Sequence, residues 1–187
     1  MEYDFTLKFK LPDTCSDTDQ LVELLGAAGC DDAVIGSGMP GRIALNFIRT
    51  AESAHRAILS ALSDVKRALP MARLIEVGPD FVGLSDVAEL VGVSRQNIRK
   101  LMLNNAATFP PAVHDGSASI WHLALILQWM EHKGSYNIAQ STLDVARAAM
   151  QVNIVNETER VPADDRLEIN QALDRYNQSE DRVPDRH

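Results

Sequence analysis

Five polar side chains within six positions, Arg95, Gln96, Asn97, Arg99 and Lys100, hold the densest binding chemistry in this sequence. Two guanidinium groups and an ammonium suit phosphate oxygens. Guanidinium forks also match the paired acceptors of guanine, and carboxamides match the donor–acceptor edge of adenine. The set therefore predicts contact with double-stranded DNA. Ser94, directly before it, is placed to cap a helix with its hydroxyl, and a helix start also suits a phosphate.

Such groups read DNA only from a rigid carrier. Ile98, Leu101 and Met102 recur at spacings of three and four, so they share one face of a helix over 94–104. Val87, Ala88, Leu90 and Val91 put an apolar face on a shorter helix before it. Gly92 sits at the bend, where positive φ costs a glycine no strain. Ala88 is small where the two helices cross. The arrangement is a helix-turn-helix. A plain αα-hairpin competes with it, but does not require this polar set beside this glycine.

The pattern continues through Phe109-Pro-Pro-Ala-Val-His-Asp-Gly-Ser-Ala-Ser-Ile-Trp121 to an apolar helix ending near Trp129. From about 83 to 132 the chain resembles the winged-helix modules of the MerR, AlpA and excisionase superfamily. The resemblance implies DNA binding, with the helix at 94–104 in the major groove and the 113–121 hairpin as a wing. It assigns His114 and Ser117 of that wing to DNA contact. Wings of the superfamily are usually basic, whereas 114–119 holds no Lys or Arg. That departure limits the wing to hydroxyl, backbone and His114 donors.

The 187 residues suffice for one or two domains with real cores. The formal net charge is −8, unusual for a DNA binder. Its distribution explains part of this: residues 1–80 and 135–187 each carry a net −4, whereas 81–134 are balanced. Three cations lie within six positions of the second helix, so the field is locally positive. Affinity gained by releasing counterions scales with the phosphates neutralised, so useful binding calls for two copies of the module, hence a homodimer, or for a helper protein. No stretch approaches the roughly 20 apolar residues of a membrane span. The first residues show neither a basic region nor a signal core. A cytoplasmic chain without a membrane partner is expected.

Other candidate chemistry is weaker. Cys15 and Cys30 are not spaced as a metal pair, and the five histidines form no ligand constellation, so no metal or cofactor is expected. Asp31-Asp32 reads as a solvated turn. Glu52 and His55 read as a surface pair three apart. The Gly36-Ser-Gly38-Met-Pro-Gly41 turn is followed by a strand pattern. A phosphate loop needs a helix there, with Lys-Ser or Lys-Thr at its head. No catalytic set emerges, and an enzyme is not expected.

The remaining elements place the module. Tyr3, Phe5, Leu7 and Phe9 alternate with polar residues as a half-buried strand. A helix over 17–28, strands at 33–36 and 42–48, a helix over 51–69 capped by Thr50, and a strand at 72–77 follow. The order βαββαβ predicts a ferredoxin-like domain over 1–78, an antiparallel sheet with two helices on one face. The fold class is α+β, with a winged helix-turn-helix over 81–134 after a short link at 78–80. A long helix at 137–156, within a 135–156 segment, carries Ala139, Leu143, Ala146, Met150 and Asn153 at heptad-like steps. The first four are assigned to dimerisation. Residues 157–187 read as an acidic tail, largely flexible, with a short helix over 164–176.

Three functions fit. The first is a sequence-specific, dimeric DNA-binding regulator, of its own operon or of a mobile element. The second is an antitoxin-like repressor holding a protein partner through the N-terminal domain or the tail. The third is a regulator sensing a small ligand.

Overall fold

The computed structural model describes residues 1–12, 18–36, 39–134 and 136–180. Cys15, Asp17, the Ser37-Gly38 pair of the glycine turn, Ser135 and residues 181–187 lie outside them. The fold is mixed α+β. Strand β1 (Glu2–Lys10) is followed by α1 (Thr18–Ala27), β2 (Ala33–Gly36), β3 (Arg42–Thr50), α2 (Ala54–Ala68) and β4 (Arg73–Gly78). The sheet order is β2-β3-β1-β4, with every neighbouring pair antiparallel. This is the βαββαβ element order expected from the sequence.

Alternation sets the core. Tyr3, Phe5, Leu7 and Phe9 of β1 and Ile43, Leu45 and Phe47 of β3 are buried with Leu21 and Leu25 of α1 and Ala57, Ile58, Ala61 and Val65 of α2. Phe5 stands opposite Phe47 in register, and the two rings stack with centroids 5.3 Å apart. Strand β3 runs two residues longer than expected, because Thr50 pairs with Glu2. Ser53, not Thr50, therefore caps α2, accepting from the Arg56 N–H at 3.2 Å. Glu52 precedes the helix, so it and His55 are not the helical pair expected.

The Asp31-Asp32 turn is not simply solvated. Arg49, at the end of β3, reaches Asp32 with its Nε at 2.7 Å and Asp64 of α2 at 2.8 Å. It also donates to Ser60 and to the Gly29 carbonyl. One guanidinium thus ties the α1–β2 corner to α2, and its own pKa is driven further up by those carboxylates. Cys30 is buried beside this cluster. Burial, then the Asp64 charge, pushes its thiol up to about 11.

The rest of the chain forms β5 (Phe81–Val82), α3 (Leu84–Leu90), α4 (Arg95–Asn104), β6 (Trp121–His122), α5 (Leu123–Lys133), α6 (Gln140–Thr158) and α7 (Ala163–Glu180). The chain divides into two compact units, Met1–Val152 and Asn153–His187. In the first, α6 serves two cores. Val145, Ala148 and Ala149 join the sheet core, whereas Leu143 and Ala146 join a second core built around α3, α4 and α5. This corrects the expected dimer seam. Leu143 and Ala146 are buried within the chain, Met150 is half-buried against the second core, and Ala139 is exposed ahead of the helix. Leu143 and Ala146, held in this way, are not free to face a second copy.

In the second unit, α7 has 18 residues rather than the short helix expected over 164–176. It starts after Pro162, whose carbonyl accepts from the Arg166 N–H at 2.9 Å.

Candidate nucleic-acid interface

Helix α3 starts when Asp86 reaches back to the Gly83 N–H at 2.7 Å. It ends at Gly92, whose φ of 72° lets the chain reverse while the Val93 N–H bonds the Ala88 carbonyl at 2.9 Å. Ser94 then caps α4, its hydroxyl accepting from the Asn97 N–H at 3.2 Å. Two helices separated by one left-handed glycine are thus fixed by backbone bonds and two side-chain caps, Asp86 at the head of α3 and Ser94 at the head of α4. Val87, Ala88 and Ile98 are buried between them and α5. Full burial of a side chain like Ile98 contributes on the order of 2–3 kcal/mol.

Burying Ile98 turns the opposite face of α4 outward. Arg95, Gln96, Asn97, Arg99 and Lys100 are all exposed. Arg95, Arg99 and Lys100 form no ion pair among the described residues, so their charge is not cancelled locally. Arg95, Gln96, Arg99 and Lys100 line one hollow of about 670 Å³ together with Leu103 and Asn104. Ser94 and Asn97 are not among its walls. Leu103 and Asn104 were not singled out from the sequence. Their spacing was the available signal: Leu103 follows Arg99 by four residues, and Asn104 follows Lys100 by four. An aliphatic Leu103 next to the core-facing Leu101 and Met102 gives no polar cue.

The other predicted contacts sit on the hairpin. A single bridge between His114 and Ile120 closes it, with the Ile120 N–H reaching the His114 carbonyl at 2.9 Å. His114 and Ser117 are exposed on it. Its one acidic side chain, Asp115, accepts from the Ser119 hydroxyl at 2.7 Å.

An aromatic and ionic frame supports the module. Phe109 meets Trp121 and Trp129 edge-on at 6.3 and 5.1 Å. Both indole N–H groups are satisfied, by the Pro110 carbonyl and the Thr108 hydroxyl. Strand β5 pairs with β6, bringing Asp80 to His122 at 2.7 Å. The Asp80 side chain is fully buried, and its backbone carbonyl accepts from the Leu123 N–H at the head of α5. The first residues of the module are thereby clasped to its last helix.

Residues 80–134 match the model of the family described as prophage CP4-57 regulatory protein (AlpA). The matched stretch begins at the buried Asp80 and ends at Gly134, which closes α5. This segment is AlpA-like, as its sequence resemblance implied. No curated protein and no solved structure matches the chain. None of the helices among the described residues is long and apolar enough to cross a membrane.

Proposed function

We propose that this chain is a sequence-specific DNA-binding regulator of transcription, associated with a prophage or another mobile element, that acts as two copies on two half-sites. The observation that carries the reading is the exposed face of α4. Three uncancelled cations and two carboxamides stand on one rigid helix within an AlpA-like segment. Helix α4 enters the major groove. Gln96 and Asn97 face adenine edges, and Arg95, Arg99 and Lys100 take guanine or phosphate. Ser94, at the head of α4, and His114 and Ser117, on the hairpin, add backbone contacts. Three cations per copy on an acidic chain favour a dimer, since a second module doubles the phosphates met.

The test is to enrich sheared host DNA on the purified protein, sequence the bound fraction, and retitrate the best fragment at several salt concentrations. An enriched short inverted repeat, bound more weakly as salt rises, supports the reading. A folded protein that enriches no sequence at low salt refutes it.

A further inference from the structure

The second unit presents an apolar stripe. On α7, Ile169, Ala172, Leu173 and Tyr176 fall on one face at helical spacing. Ile169 is 49 % and Leu173 53 % exposed. Ile154 and Val155, at the end of α6, are exposed too. A helix of this length draws most of its stability from burying such a face. Of the stripe expected on α6, Leu143 and Ala146 are already committed to the chain's own core.

We infer that α7 pairs antiparallel with α7 of a second copy across a two-fold axis near residues 171–172. Charge placement selects this occupant and this direction. Glu168 and Arg175 lie on the same flank of the stripe, seven residues or about two turns apart. Antiparallel pairing sets like flanks together. Glu168 of each copy then faces Arg175 of the other, giving two equivalent ion pairs by symmetry. Parallel pairing would leave Glu168 opposite Leu173 and set Arg175 against Glu180, the last residue of the helix, so only the antiparallel arrangement engages both charges. Helix α7 is about 27 Å long. One helix pair of that length buries less than a standard stable interface, so the dimer is weak in free solution.

The inference rests on the two-copy reading above, and its test is made without DNA. The full chain is followed by sedimentation from 1 to 100 µM. A concentration-dependent dimer is expected. Glu168→Arg and Arg175→Glu should each weaken it about tenfold, and the double exchange should return it to within about threefold of the parent. Ile169→Glu with Leu173→Glu should abolish it, with circular dichroism confirming that the first unit stays folded. A parent chain that is monomeric at 100 µM overturns the inference, whether α7 folds back on its own chain or takes a different protein. So does a dimer indifferent to Glu168→Arg, or a double exchange that restores nothing. A monomer that still binds an inverted repeat sinks the pairing alone; a dimer that binds no DNA sinks the regulator reading alone.

Discussion

Replacing Lys100 with Ala in a folded protein should change how DNA affinity responds to salt. Lys100 is exposed, lines the hollow on α4 and forms no ion pair among the described residues. If Arg95, Arg99 and Lys100 each neutralise a phosphate, two copies release the counterions of six. The slope of log affinity against log salt is then about −5, and affinity falls roughly a thousandfold between 50 and 200 mM salt. Losing Lys100 from both copies leaves four contacts and a slope of about −3.6. Because the side chain is exposed and in no ion pair among the described residues, stability should move by less than about 0.5 kcal/mol. Fluorescence anisotropy with the enriched fragment at five or more salt concentrations measures both slopes. Arg99→Ala separates the two kinds of contact: a base-reading arginine should cost about 1–3 kcal/mol and relax preference at one position. A parent slope near zero, or a slope unmoved by Lys100→Ala, would refute the argument that this face neutralises phosphates.

Gly92→Ala should destabilise the first unit by about 1–2 kcal/mol through left-handed backbone strain alone, since an added Cβ meets nothing within 4 Å. Equal urea midpoints for the two proteins would sink that account. Arg49→Ala strips the guanidinium from Asp32 and Asp64 and should cost about 3 kcal/mol or more in urea unfolding; a loss under about 1 kcal/mol would show the cluster to be ornamental. With its thiol raised from 9.0 to about 11 and buried, Cys30 should resist iodoacetamide at pH 8 until denaturant is added, as read by mass spectrometry. The same shift predicts that stability falls as pH rises from about 9 towards 11, because the unfolded chain loses that proton first.

Short-range rules made most of this molecule readable. Alternation in β1 and β3, the three-and-four spacing of Ile98, Leu101 and Met102, the Ser94 cap and the Gly92 bend each record a local requirement, and each appears where expected. The faces of α4 were legible for the same reason: a helix that buries Ile98 must expose Arg99 and Lys100. What stayed hidden depends on which surfaces meet. Asp32 looked like half of a solvated pair because its partner, Arg49, is 17 residues away and faces it only once β3 is built. The α6 stripe looked like a seam for a twin because heptad spacing marks a buried face without saying what buries it. Here two cores share α6, and its small residues allow that close packing. The Asp80–His122 clasp spans 42 residues and has no local signature at all.

The acidity of the chain bears on how the proposed regulator would discriminate. Non-specific binding draws almost wholly on phosphate charge, whereas specific binding adds contacts to base edges. The residues flanking the module carry a net −4 on either side. On the proposed reading, a chain with only three cations on its reading face gains little from any duplex that does not also satisfy Gln96, Asn97 and the guanidinium forks. On that reading, residence on DNA would depend on sequence match and on a second copy more than on charge. The proposed weak interface between copies fits that reading. If pairing in solution were tight, two modules would bring six cations to every duplex they met. If pairing is weak and completed on adjacent half-sites, only a DNA segment carrying both holds the protein.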